Sequence, residues 1–206
     1  MFSPLAVVVY VVDGDTIKVR TSFLISFKYT TTFRYACLDT PEKEEPFFEQ
    51  ASTTNRQLVE NKPVSFSIID KDKYNRNVAY LYVYNNSFLG KLQSKLSFDG
   101  IFVNEKLLRA GLAVYYDVSR KCTRYPQLLE AQKYAFENSL GMWNIYKHLK
   151  NIKFIIGYRV FHLEGCEKIR KQKKQYITLE QAVYRGYSPC RSCKPLITLY
   201  LKKTGR

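Results

Sequence analysis

The chain contains no apolar run approaching the ~20 residues that a membrane-spanning helix needs, which argues against a helical membrane protein. Its early apolar stretch, Leu5 to Val12, has no Lys or Arg before it and no small-residue cleavage site after it. It therefore reads as a first strand rather than a leader. The five cysteines are odd in number and three fall late, which excludes a scaffold held by disulfides alone. There is no internal repeat and no low-complexity segment. Acidic residues are scarce, with 18 Asp and Glu against 33 Lys and Arg, for a net charge of +15. The imbalance is uneven: residues 147–206 carry 15 Lys and Arg against Glu164, Glu167 and Glu180, a net +12, leaving +3 for residues 1–146. Together with 17 Tyr and 13 Phe, this suits a polyanion with stackable bases. At 206 residues the chain fits one ordinary domain plus a small module.

What is present centres on Val12-Asp13-Gly14-Asp15-Thr16. Two apolar runs, Val7 to Val12 and Thr16 to Val19, meet across Asp-Gly, a strong hairpin signal because both turn positions tolerate positive φ. A third strand-like run, Thr31 to Leu38, ends in Asp39-Thr40-Pro41-Glu42. If these strands pair, Asp15 and Asp39 converge at one sheet end. Two converging carboxylates with oxygen-rich neighbours suit a hard cation, calcium or magnesium. Taken singly, each Asp could equally be a turn residue.

Further along, Pro46 is placed at the first turn of a helix running to about Glu60, with Phe47, Phe48, Ala51, Leu58 and Val59 as core candidates. Val64 to Ile69 and Val78 to Tyr84 read as strands. Residues 85–100 read as an insertion or surface hairpin. Asn104 is expected to cap a helix ending at Gly111, and Pro126 to open another ending before Gly141. About five strands and three helices predict an α+β, mainly β architecture: a five-stranded barrel of the OB type, a fold whose face and loops commonly bind oligonucleotides.

These residues resemble the thermonuclease (staphylococcal-nuclease-like) family over about residues 6–145. The likeness rests on Asp13-Gly14-Asp15-Thr16, Arg34 with Asp39-Thr40-Pro41-Glu42, and Asp72-Lys73-Tyr74-Asn75-Arg76. It continues through Val103-Asn104-Glu105, Gly111-Leu112-Ala113, Glu130-Ala131-Gln132 and Gly141-Met142-Trp143. The resemblance implies calcium-dependent cleavage of DNA and RNA phosphodiesters. By position it implies carboxylate ligands from Asp15 and Asp39 and a carbonyl from Thr40, supported by Asp13. Glu42 resembles the residue that activates the attacking water, and Arg34 and Arg76 resemble the pair holding the scissile phosphate. Lys73, Tyr74 and Tyr115 resemble residues lining the nucleotide site, with the register between Tyr115 and Tyr116 left open. Asn75 stands where the family usually has Gly; Asn tolerates left-handed φ better than other non-glycine residues, so the turn is expected to survive. The chemistry is coherent apart from the family. A phosphodiester anion repels hydroxide, planar guanidinium groups match phosphate geometry, and a positioned carboxylate can take the water's proton.

The tail carries a second set. His162-x₃-Cys166 and Cys190-x₂-Cys193 are chelate-sized pairs, and four such ligands suit tetrahedral, structural zinc; a disulfide within the cluster is the alternative. Thr178 to Gln181 fits a capping box on a helix stopped by Gly186. The segment resembles the small zinc-binding domain of Ada-type DNA-repair proteins, over about residues 155–195. Cys37 and Cys122 are left over and read as buried apolar residues. Arg170-Lys171-Gln172-Lys173-Lys174 would attract phosphate without reading sequence.

The expected organisation is an OB-fold domain over residues 1–146, a basic linker at 147–154 and a zinc-binding-like domain with a basic tail at 155–206. The expected activity is a low-specificity, calcium-dependent endonuclease acting as a monomer on single-stranded or locally opened DNA or RNA. The alternative is a non-catalytic OB-fold nucleic-acid binder with a zinc-stabilised docking module. Localisation stays open: cytoplasmic by default, with secretion allowed by the family resemblance.

Overall fold

A computed structural model describes residues 6–23, 27–84, 100–117, 121–169 and 174–205. Strands β1 (Ala6–Val11) and β2 (Thr16–Phe23) form the expected hairpin, and β3 (Phe27–Tyr35) continues antiparallel to β2. In β1 both Val8 and Val11 are buried although three residues apart, because the register shifts between Val8 and Tyr10. Such a bulge resets the inward face of a strand. After the short β4 (Leu38–Asp39) comes helix α1 (Phe48–Val59), then the antiparallel pair β5 (Pro63–Lys71) and β6 (Asn77–Val83). β5 pairs with β1, and β6 pairs in parallel with β3, so the sheet closes into a five-stranded barrel. This mixed α+β architecture fits the OB type. Ile17, Val19, Phe33, Leu81 and Val83 fill its core.

The hairpin turn differs from the expected one in its cause. Gly14 does not have positive φ; instead, a Cβ there would lie 2.7 Å from Thr40 Oγ1 and 2.9 Å from the Cβ of Ala51. Glycine is required because β4's flank and α1 press on the loop, not because the turn is left-handed.

β7 (Ile101–Phe102) leads into α2 (Val103–Arg109), and β8 (Val114–Tyr115) pairs with β4. Asn104 is not the cap expected of it. It sits fully buried inside α2, its Oδ1 accepting from Leu81 N and its amide donating to the carbonyls of Ala36 and Ala79. It thereby satisfies backbone groups of the barrel that would otherwise be orphaned. Helix α3 (Tyr125–Glu137) opens at its proline as expected, and the short α4 (Met142–Tyr146) adds a further helix. Gly111 and Gly141 both have positive φ and touch each other's backbone. A Cβ on Gly111 would be 2.1 Å from the Leu140 carbonyl oxygen, so no larger residue fits.

Cys37 and Cys122 form a disulfide, 85 residues apart, rather than filling the core as separate thiols.

The segment expected to be a linker or short helix opens with a 3-10 turn, Lys147–Leu149, and joins the core. Leu149 and Phe154 are buried in one cluster with Ala135, Phe136 and Trp143 from the barrel side and Phe161, Ile177 and Leu196 from the tail. The tail holds a four-stranded sheet of β9 (Lys153–Ile156), β10 (Val160–His162), β11 (Tyr176–Thr178) and β12 (Ser188–Pro189), in the order β11-β9-β10-β12. Helix α5 (Leu179–Tyr184) packs on β11, and α6 (Pro195–Thr204) packs against α4. The capping box is present as expected: Gln181 N donates to Thr178 Oγ1, and Thr178 N to Gln181 Oε1. The expected surface hairpin (85–99) and most of the basic run (170–173) lie outside the described residues. Among the described residues no helix is long and apolar enough to cross a membrane.

Candidate functional site

Asp15 is held at the mouth of β2 by backbone geometry. Tyr35 N donates to its carbonyl at 2.8 Å, and its own N–H donates to Asp13 Oδ1 at 3.0 Å. From beneath, Asn55 of α1 donates to the Asp13 carbonyl and accepts from the Tyr35 hydroxyl, so a helix residue braces the loop. Pairing of Thr16 with Arg34 brings the β3 arginine beside this loop. Arg34 Nη1 meets Asp15 Oδ1 at 2.8 Å and Nη2 meets Asp39 Oδ1 at 2.6 Å. The two carboxylates that the sequence singled out are thus joined on one guanidinium. Asp15 also accepts from Thr16 Oγ1 at 3.0 Å and from Thr40 N at 3.2 Å.

Burial is the dominant influence on Asp15 and pushes its pKa up to about 7, with Asp13 and Asp39 acting in the same direction and Arg34 and Thr16 opposing. One arginine does not fully compensate this much buried negative charge. The side chains of Asp15 and Asp39 offer only oxygen to a cation.

Glu42 is exposed, its backbone N–H bonded to Glu45 Oε2. It lines a cavity of about 400 Å³ together with Asp39, Thr40, Tyr146, Arg191 and Lys194. Arg76 precedes β6, and the pairing of Arg34 with Val78 sets the two arginines two residues apart along neighbouring strands. Its Nε is held by Asp72 Oδ2 at 2.7 Å, and Asp72 also accepts from the backbone of Tyr74 and Arg76. Asn75 adopts φ 61°, the left-handed conformation expected of it. Tyr74 stands 67 % exposed at this hairpin tip, with Lys73 and Arg76 over its ring at 4.9 and 5.4 Å.

Tyr115 is not placed as expected. It is buried between β8 and α3, edge-on to Tyr125, its hydroxyl donating to Asp117 Oδ2. The outward residue is its neighbour Tyr116, whose ring lies 3.8 Å from the Arg191 guanidinium.

In the tail, His162, Cys166, Cys190 and Cys193 place their ligand atoms within 4.8 Å of one another. Tetrahedral zinc holds such atoms roughly 3.5–3.8 Å apart, and His162 Nδ1 lies 3.4 Å from Cys166 Sγ. Burial keeps His162 towards the neutral form and pushes the Cys193 thiol up to about 12. All three cysteines are free, so the pairing within the cluster that the sequence left open is not made.

The residues that sequence reasoning missed come from the stretch between the last two ligands and just past it. Arg191 grips Asp39 with Nε to Oδ2 at 3.0 Å and Nη2 to Oδ1 at 2.6 Å, and Lys194 pairs with Glu45. Nothing local in the sequence marks a contact spanning 152 positions.

The family described as Staphylococcal nuclease homologue matches residues 32–145. SPbeta prophage-derived endonuclease YokF of Bacillus subtilis (strain 168) is 33% identical over 144 residues, covering 65% of this chain and 42% of that protein. Endonuclease YncB of the same organism is 32% identical, covering 69% of this chain and 63% of that protein. An uncharacterized endonuclease of Escherichia coli O157:H7 is 28% identical, covering 66% and 75% respectively. The chain thus spans less than two thirds of the length of the two Bacillus relatives.

Proposed function

Because the chain belongs to the family of staphylococcal nuclease homologues, we propose that it is an endonuclease hydrolysing phosphodiester bonds of DNA or RNA with low sequence specificity. The observation that carries this reading is the meeting of Asp15 and Asp39 on Arg34, next to a cleft lined by Glu42. The oxygen-only donor set of Asp15, Asp39 and the Thr40 carbonyl, with Asp13 behind, fits a hard cation, and calcium is the one proposed. Bound there, calcium would neutralise phosphate charge and polarise a water. Glu42 accepts the proton of the attacking water, a role for which its exposed carboxylate is available. Arg34, anchored on Asp15 and Asp39, and Arg76, anchored on Asp72, offer their remaining N–H groups to the phosphate oxygens as charge develops. Tyr74 and Lys73 supply a stacking face and a cation for a neighbouring nucleotide, which favours single-stranded or locally opened substrate. The protein acts as a monomer in this reading.

His162, Cys166, Cys190 and Cys193 are proposed to hold structural zinc. The support is their spacing and burial, and four ligands leave no open position for catalysis.

The test is degradation of single-stranded DNA with added calcium and with EGTA. Cleavage is expected with calcium and should vanish with EGTA. Undiminished cleavage in EGTA contradicts the proposed cation, and tight binding without cleavage in both contradicts the activity.

A further inference from the structure

We infer that Arg191 is a substrate-binding residue, delivered to the barrel site by the C-terminal segment, where its guanidinium lies on Asp39. The inference rests on the reading of Asp39 as a cation ligand. Arg191 presents Nε and Nη2 to Asp39, the same flat fork that matches a phosphate. Its plane is fixed by Tyr116, 3.8 Å from the ring centroid. Its base is fixed by the flanking cysteines, both in the four-ligand cluster. An arginine oriented this closely is more than a floppy surface partner, for which little binding energy would be expected.

Asp39 Oδ1 already serves two guanidinium groups, Arg34 and Arg191, each at 2.6 Å. Arg34 is the buried partner, its side chain 13% exposed, whereas Arg191 is 47% exposed and faces the cleft that also contains Glu42. A cation at Asp39 competes for the same oxygens, and of the two arginines the exposed one is free to leave. The anion next to it is then the phosphate held at Arg34. Arg191 therefore exchanges a carboxylate for a phosphate without leaving its tyrosine, and Lys194 extends the positive edge of the cleft.

The test uses the full chain with Glu42→Gln as a non-cleaving background, a labelled oligothymidylate as probe, and Arg191→Gln and Arg191→Lys as variants. At saturating calcium, Arg191→Gln is expected to weaken oligonucleotide binding by about tenfold or more, with Arg191→Lys intermediate, because a charge-assisted contact is lost. The salt dependence should drop by about one phosphate contact. Calcium affinity without nucleic acid should rise severalfold in Arg191→Gln, because the competing guanidinium is gone. Tighter calcium binding with unchanged oligonucleotide affinity would make Arg191 a plug and overturn the phosphate role. So would a lowered melting temperature with both affinities unchanged, which describes a strap between the two parts of the chain. Failure of the nuclease reading is seen separately, as absence of cleavage by the unmodified protein.

Discussion

At the barrel end, Asp15 and Asp39 come together only with Arg34 between them and Arg191 on the open side, whereas His162, Cys166, Cys190 and Cys193 gather directly on one another. The difference follows from charge. Carboxylates crowd negative charge, and a guanidinium between them offsets it. Buried thiols and a neutral imidazole carry no such penalty and can close up as they are. The thiol cluster is therefore already closed up, while in the acidic cluster arginines stand among the carboxylates. Arg191 ties the two together, since it sits between two cysteines of one cluster and grips a carboxylate of the other.

The largest effect is expected from removing a thiol. Cys190→Ser should abolish bound zinc and destabilise the protein by roughly 4 kcal/mol or more, because the ligands and the shared core around Trp143 and Phe161 are lost together. Elemental analysis and denaturant titration check this; a metal-free protein of unchanged stability would show that the cluster needs no ion. Next in size is the Cys37–Cys122 disulfide, which closes an 85-residue separation. Its reduction, or Cys37→Ala with Cys122→Ala, should cost about 2–4 kcal/mol in denaturant titration while leaving zinc content intact.

A smaller effect is expected from pH. The folded pKa of Asp15, about 7, lies above its ordinary value, so folding takes up a proton between the two. Its contribution to stability is full below about pH 4 and is lost as pH rises through about 7. In EGTA, stability should therefore fall with pH across that window more steeply than in Asp15→Asn, and calcium affinity should rise across it as the competing proton leaves. Parallel pH profiles for the two proteins would contradict this. Smallest of all, Asn75→Gly should leave activity nearly unchanged and stability within about 1 kcal/mol, since Asn75 already adopts the left-handed turn.

The barrel and its acidic end were legible because their signals are local: alternating strands, a tight Asp-Gly loop, and acids at strand ends. The readings that went astray did so where a distant contact decides. Gly14 is fixed by Thr40 and Ala51 rather than by its own φ. Asn104 looked like a cap, yet it is spent on the carbonyls of Ala36 and Ala79. Tyr115 closes a two-residue strand and Tyr116 follows it, and so short a strand carries no periodic pattern to say which of them turns inward. Residues 147–154 looked polar because only Leu149 and Phe154 among them turn into the shared core, along with a lysine-rich outer face. The disulfide and Arg191 span 85 and 152 positions, and composition carries no trace of such pairings.

The most direct measurement is single-turnover cleavage of single-stranded DNA by the unmodified protein and by Glu42→Gln, both at saturating calcium. Loss of a positioned general base predicts a rate roughly 10²–10⁴-fold lower in the variant, with calcium affinity and melting temperature unchanged. Equal rates in the two proteins would contradict the assignment of Glu42 and, with it, the placement of the reaction in the cleft beside Asp39.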